Sequence, residues 1–181
     1  RVAGLGALGR PRYVALIRGN GGKDCQALID LKSQPGSALV EALGKAGYRQ
    51  PRFANDAARV VQVEYHLQAA APAFLTDIAI GKTSFTFREL QPDQDKLEAN
   101  QLAGDAMRRE EAIGAMGDLI AWAQLRTSGW QGGATIDDLM AWARSESWRR
   151  DLARPLLTFA TEAAQASRKS WEKFVAAMTR P

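Results

Sequence analysis

Three glycines and one lysine near the start of the chain have the types and the spacing of a phosphate-binding site. The glycines are Gly4, Gly6 and Gly9, in a G-x-G-x-x-G pattern, and Lys32 closes the largely apolar run 27–32. Consecutive backbone N–H groups in a glycine turn can surround an anion, and a lysine adds a positive point charge. This pattern therefore predicts a site for the phosphates of a nucleotide.

The sequence between the glycines and the lysine reads as a hairpin. A strand-like run at 13–17 and a glycine-rich turn at 19–22 precede the run that ends at Lys32. Protein-kinase-type phosphotransferases use this order, with a glycine loop over the phosphates and a lysine on a following strand. Their chemistry also needs acidic and amide residues in H-R-D-x-x-x-x-N and D-F-G segments. Neither segment occurs here, so we expect no catalytic residue and no metal ligand in this chain.

Two other nucleotide-binding motifs share parts of the pattern. A Rossmann site needs a strand before its glycines and a helix after them, with an acid about 20 residues on, where Asp30 lies. Only three residues precede Gly4, and β-type sequence follows Gly9. The Gly-Lys-Thr at 81–83 resembles the end of a P-loop, but Thr76 stands where that loop needs glycine. We predict a hairpin turn at 81–82, and a plain tight turn remains the alternative for the opening glycines.

Composition narrows the classes of function. The 181 residues carry a net charge of +4 with a pI of about 9.5, which suits an anionic ligand. The basic residues are spread along the chain, so we expect no nucleic-acid partner. Cys25 and His66 are the only residues of their types, which excludes an internal disulfide and argues against a zinc site. No apolar run reaches the ~18 residues of a membrane span, and we expect a cytoplasmic protein.

The coarse pattern of elements predicts an α+β fold with a small antiparallel sheet followed by helices. Strand-like runs lie at 13–17, 27–32, 74–80 and 84–90, and Asn55 is the predicted N-cap of a helix that extends to about residue 71. We expect a four- or five-stranded sheet over 1–91, a linker at 92–105 and a helical lobe over 106–181.

Glu64 lies on the apolar stripe of the helix that starts after Asn55. A carboxylate that faces a core needs a partner, and in kinases the corresponding helix provides a glutamate that pairs with the strand lysine. We therefore predict an ion pair between Glu64 and Lys32. By the same analogy, backbone groups at Glu89, Leu90 and Gln91 would bind the adenine base.

The helical lobe shows apolar stripes that predict three to five packed helices. Thr135 and Asp138 predict a capping box at the start of one of them. The residues expected to face inward are Ile113, Met116, Ile120, Ala123, Ile136, Leu139, Met140, Ala143, Trp148, Leu152, Leu156, Phe159, Trp171, Phe174, Val175 and Met178.

Five short segments in the same order resemble the bacterial "domain of unknown function 2252" family, over nearly the whole chain. These segments are 1–9, 28–32, 59–61 with 67–68, 87–92, and 121–126 with 128–129. The family is grouped with the protein-kinase-like fold. The resemblance implies that this chain corresponds to the later half of the family, whose catalytic-loop-like D-x-H-x-x-N segment lies upstream of the glycine loop.

Three positions depart from the pattern of that family. Ala7 replaces the serine or threonine that many members have in the glycine loop, so contact with phosphate would rest on backbone N–H groups. Gln124 stands where many members have histidine, and Glu64 stands where relatives often have glutamine. The first departure removes a hydroxyl contact, and the others leave the roles of those side chains open.

Taken together, these features predict the nucleotide-binding part of a kinase-like phosphotransferase. The complete protein would transfer the terminal phosphoryl group of ATP, with magnesium, to an acceptor that the sequence does not identify. The chain begins with Arg1, and we expect a fragment that is inactive without an N-terminal catalytic segment. Gly4, Gly6, Gly9, Lys32, Glu64, Glu89 and Gln91 are the predicted nucleotide-binding residues. The alternatives are a non-catalytic module of kinase-like shape and a helical partner-binding domain.

Overall fold

The computed structural model describes residues 9–22, 25–92, 97, 99–102 and 104–179. The predictions for Gly4, Gly6 and Ala7 therefore lie outside the described residues. The first part of the chain contains β1 (Arg12–Arg18), β2 (Gln26–Ser33), α1 (Val40–Lys45), α2 (Asp56–Leu67), β3 (Thr76–Ile80) and β4 (Thr83–Glu89). After a short 3-10 turn (Ala99–Leu102) come α3 (Ala106–Arg126), a second 3-10 turn (Trp130–Gly132), α4 (Ile136–Arg144), a π-helical turn (Trp148–Ala153) and α5 (Arg154–Met178). The predicted α+β class is confirmed.

The chain divides into two compact units, Arg1–Thr127 and Ser128–Pro181. The division lies further along the chain than the linker expected at 92–105, because α3 packs against α2 of the first unit. The guanidinium of Arg126, the last residue of α3, also donates to the carbonyl of Leu67 at 3.4 Å. The sheet and the helices α1 to α3 thus form one packing unit.

The four described strands form one antiparallel sheet in the order β1-β2-β4-β3. Side chains alternate between its faces because a strand repeats every two residues. One face, here called the core face, buries Ile29, Leu31 and Phe85, with five partly buried neighbours packed against them: Ala15, Ile17, Ala27, Ile78 and Phe87. The opposite face, here called the helix face, packs against α2. The sheet therefore separates an apolar core from a more polar surface.

Helix α2 lies on the helix face along β3 and β4. Its predicted N-cap is confirmed, since the Asn55 side chain accepts a hydrogen bond from the N–H of Ala58 at 2.8 Å. The Nδ2 of Asn55 also donates to Asp77 on β3 at 2.9 Å, and the N–H of Ala57 donates to the hydroxyl of Ser84 on β4 at 3.3 Å. Small buried residues of α2, Ala57 and Ala58 among them, allow this close approach.

Two predicted boundaries around this helix were wrong. The helix ends at Leu67 and not near residue 71, because Gln68 already has an extended backbone. The third strand starts at Thr76 and not at Phe74, which has a left-handed backbone with φ 61°. The N–H of Leu75 bonds back to the carbonyl of Pro72 at 3.3 Å, so the chain turns there before it enters the sheet. The hairpin turn at Gly81 is confirmed, with φ 60°.

The predicted inward-facing stripes of the later helices are corrected by the structure. Over the part of the chain that it describes, no residue of α3, α4 or α5 is buried. In α3 the side chains of Ile113 and Ile120 are 68% and 64% exposed, and in α5 Phe159 is 65% exposed. The stripes are helical as predicted, but a stripe becomes core only where another element packs on it.

The second unit begins with the predicted capping box of α4, which is confirmed. The hydroxyl of Thr135 accepts from the N–H of Asp138 at 3.2 Å, and the Asp138 carboxylate accepts from the Thr135 N–H at 3.0 Å. The same carboxylate accepts a 2.6 Å bond from the hydroxyl of Thr135. These bonds satisfy donors that the first turn of a helix leaves without intrahelical partners.

The hydroxyl and N–H of Thr135 lower the pKa of Asp138 below its ordinary value of 3.8. A lowered pKa in the folded state means that the charged form stabilises the fold. This contribution is complete above the ordinary value and is lost as the pH falls through the lowered value. We expect α4 to fray at its start in this acid range, which the Cα chemical shifts of α4 would report. Asp138→Asn should remove the transition, whereas a transition that persists in this variant, or that Asp137→Asn removes, would contradict the assignment.

Candidate functional site

A row of charged side chains crosses the helix face from β1 to β4. Strand register places Arg12 opposite Lys32, and Lys32 opposite Thr86. Two residues before Lys32 on β2, Asp30 lies opposite Arg88. Because residues two apart share a face of a strand, these side chains are on the same side of the sheet. The row brings three cations and a carboxylate together, and of these the sequence predicted only Lys32 as a phosphate ligand.

Lys32 is half-buried on β2, an internal strand of the described sheet. Its carbonyl accepts from the hydroxyl of Thr86 at 3.3 Å, and that hydroxyl in turn accepts from Gln34 at 3.0 Å. For its ammonium group, the structure shows neither an ion pair nor a hydrogen bond with any described residue. Lys32 thus combines a well-held backbone with a cation that has no carboxylate partner among the residues described.

Arg12 and Asp30 form a two-pronged ion pair. The Nε and Nη2 atoms of Arg12 each donate to a different oxygen of Asp30 at 2.6 Å. The side chain of Asp30 is 4% exposed and that of Arg12 is 18% exposed. The hydrogen bonds to Asp30 raise the pKa of Arg12, and burial opposes that shift. Sequence analysis considered Asp30 only as a possible ribose ligand, although an acid inside an apolar strand run signals the need for a buried partner.

Glu64 faces the sheet as predicted, but the structure gives it a different partner. Its carboxylate pairs with the Arg88 guanidinium on β4 at 3.4 Å, and the predicted ion pair with Lys32 is not among the pairs of the described residues. The reason is the position of α2, which packs along β3 and β4, whereas Lys32 lies on β2. Arg88 lies on a strand that α2 contacts, and it therefore pairs with the Glu64 carboxylate.

Gly9 is the described member of the predicted glycine loop. Its φ of 74° lies in the left-handed region, where glycine has no steric cost. Strand β1 begins three residues later, at Arg12, so no helix follows the glycines. A Rossmann site would need a helix at this position. Gly9 also lies at the Lys32 end of the helix face, since Arg12 is opposite Lys32.

The segment predicted to bind a base follows β4. The N–H of Glu89 donates to the carbonyl of Ala73, and the N–H of Leu90 donates to the carbonyl of Leu28, both at 2.8 Å. These two N–H groups are therefore used within the chain. A base bound beside this segment would find carbonyl oxygens there, with Gln91 next along the chain.

Exposed apolar side chains lie on the helix face near this segment. Val14, Leu16 and Leu28, here called the apolar patch, are 40%, 64% and 48% exposed. Leu16 is opposite Leu28 in the β1–β2 register, and Leu28 is bonded to Leu90. Sequence analysis missed the patch, although the alternation Arg12, Val14, Leu16 indicates one face. The helix face thus has an apolar end and a cationic end on the same two strands.

Among the residues that the structure describes, no group of three or more His, Cys, Asp or Glu side chains is placed to hold a metal ion. None of the helices within the described ranges combines the length and the apolar character that crossing a membrane requires.

Comparison with known proteins identifies a family for this chain. A protein-family model described as "Uncharacterized protein conserved in bacteria (DUF2252)" matches residues 1–177. No curated protein matches the chain, and no solved structure matches it.

Proposed function

Given that the chain belongs to the bacterial DUF2252 family, we propose that the helix face of its sheet binds ATP as part of a kinase-like phosphotransferase. Lys32 binds the phosphates together with backbone N–H groups of the glycine loop at Gly4, Gly6 and Gly9. The apolar patch receives the adenine ring, and carbonyl groups of the segment 89–91 bind its edge.

The observation that carries this proposal is the state of Lys32. Lys32 is a half-buried residue on an internal strand, its ammonium has no carboxylate partner among the described residues, and an anion bound there would complete it. The row of charged groups comprises Arg12, Lys32 and Arg88 with Asp30 and Glu64, and each carboxylate has an arginine. Within these five groups one positive charge is left over, at Lys32; the next carboxylate on this face, Asp77 opposite Thr86 on β3, accepts a hydrogen bond from Asn55. A phosphate group is a suitable ligand for such a charge.

The dimensions of the helix face support the same assignment. Lys32 and Leu28 are four residues apart on β2, which corresponds to about 13 Å along the strand. This distance leaves room for a ribose and a phosphate chain between a base on the apolar patch and a phosphate at the lysine. The order glycine turn, strand, lysine strand, helix with an inward glutamate, and hairpin also follows the kinase pattern.

In this proposal the chain binds and positions the nucleotide. Positioning and charge neutralisation supply most of the catalysis in phosphoryl transfer. No described residue is assigned a catalytic or metal-binding role, so transfer to an acceptor needs acidic groups and magnesium ligands from outside the described residues. Glu64 acts through Arg88, which it holds on the helix face. The alternative is a non-catalytic module, which would have the same fold but would not bind ATP.

Titration of the chain with magnesium and ATP by calorimetry tests the proposal. Lys32→Ala should weaken binding by about 10- to 100-fold, because a charge-assisted bond contributes about 1.5–3 kcal/mol. Lys45→Ala is the matched control, since Lys45 is a surface lysine that pairs with Glu41 on α1. Its affinity should equal that of the wild type. Equal affinity of Lys32→Ala and wild type, or no saturable binding by the folded chain, would refute the proposal and favour the non-catalytic module.

A further inference from the structure

Asp30 and Lys32 lie close together on the helix face. They are two residues apart on β2, so their side chains leave the same side of the strand about 7 Å apart. A lysine has a flexible four-carbon stem and turns readily toward a carboxylate at this distance. Left to itself, Asp30 would be the nearest internal competitor of any phosphate for the ammonium of Lys32.

The structure shows that Arg12 takes this carboxylate instead. Both oxygens of Asp30 accept bonds of 2.6 Å from Arg12, and the carboxylate is almost fully covered. The guanidinium has the planar, two-pronged geometry that matches both oxygens, which an ammonium cannot reproduce. Asp30 is thereby satisfied without using Lys32.

The same arrangement moderates a repulsion. Arg12 is directly opposite Lys32 in the β1–β2 register, and like charges in opposite positions of a sheet destabilise it. Asp30 lies diagonally across from Arg12, two residues before Lys32 on β2, and neutralises Arg12. The net positive charge of the three groups is then concentrated on the lysine.

We propose that Arg12 is a positioning residue of the nucleotide site, which engages Asp30 so that the ammonium of Lys32 stays available to phosphate. This inference rests on the function proposed above. It assigns Arg12 no contact with the nucleotide, and it assigns Asp30 the role of neutralising Arg12.

The test is a set of variants titrated with magnesium-ATP and, separately, with inorganic tripolyphosphate. Arg12→Gln should weaken both ligands about fivefold, because Asp30 then pairs with Lys32. The double variant Arg12→Gln with Asp30→Asn removes the competitor together with its partner and should restore the affinity to within about twofold of wild type. Asp30→Asn alone should bind at least as tightly as wild type.

Two results would overturn the inference. If the double variant stays as weak as Arg12→Gln, then Arg12 contacts the ligand directly or only maintains the fold. If Arg12→Gln binds as tightly as wild type, the pair has no effect on Lys32. The same titrations distinguish failure of the proposed function from failure of this inference. If the proposed function is wrong, Lys32→Ala binds magnesium-ATP as wild type does. If only this inference is wrong, Lys32→Ala still binds more weakly than wild type.

The NMR chemical shift of the Lys32 side chain gives a direct measurement. The side-chain 13Cε resonance of Lys32 should shift in ligand-free Arg12→Gln and return in the double variant, and an unchanged resonance would contradict the inference. If Arg12→Gln does not fold, Arg12→Lys replaces it, because it keeps the cation but loses the two-pronged geometry. Its affinity should be lower than that of wild type, and full wild-type affinity would overturn the inference.

Discussion

Ile29→Ala is expected to lower the free energy of unfolding of the first unit by about 2–5 kcal/mol. Ile29 is completely inaccessible to solvent on β2, and it lies opposite Ala15 and Glu89 on the two flanking strands. Truncation removes three carbon atoms from the core and leaves a cavity that paired strands on both sides cannot easily close. The loss thus has both a transfer component and a cavity component.

Leu28→Ala provides the matched control for this prediction. Leu28 is the preceding residue of the same strand, but it points to the helix face and is 48% exposed. Its truncation should cost about 1 kcal/mol or less, because little buried surface is lost. Urea unfolding followed by the amide resonances of β2 would measure both variants. Equal destabilisation by the two truncations would contradict the assignment of the two faces.

Phe85→Ala should have a comparable or larger effect, about 3–5 kcal/mol. Phe85 is 3% exposed on β4, opposite Ile78 on β3, and its ring centre lies 5.9 Å from that of Tyr13 on β1. The ring therefore lies between side chains of β1 and β3, the two outer strands of the described sheet. Its removal opens a cavity larger than the one left by an aliphatic residue.

Phe159→Ala is the control of the same chemistry. Phe159 lies on α5 and is 65% exposed, so its truncation should change the free energy of unfolding by no more than about 0.5 kcal/mol. Urea unfolding of the two phenylalanine variants, each followed by the resonances of its own unit, gives the comparison. A large loss in Phe159→Ala would show that α5 is covered in solution.

Features encoded by a few neighbouring residues could be predicted from the sequence. The caps at Asn55 and Thr135 and the turn at Gly81 depend only on side chains within about four residues, and all three were confirmed. The inward direction of Glu64 follows from helical spacing alone. Its partner does not, because the choice between Arg88 and Lys32 depends on which strand lies under α2, and strand order is not a local property.

The same distinction explains the error in the helical part. The spacing of Ile113, Met116 and Ile120 correctly indicates one apolar side of α3. Whether that side is buried depends on a second element, which spacing does not specify. In the sheet, the position of Asp30 inside an apolar run indicates that it needs a buried partner. Only the register of β1 with β2 identifies Arg12 as that partner.

The strand order has a further consequence for how the sheet assembles in time. β1 with β2, and β3 with β4, are hairpins of neighbouring strands, and such hairpins form in about 1–10 µs. The contact of Thr86 with Lys32 joins residues 54 positions apart. Closing this long loop loses conformational entropy before any contact compensates for the loss. We therefore expect the joining of the two hairpins to limit the folding rate. The charged row is assembled across that joint, so it becomes complete in the last step of folding.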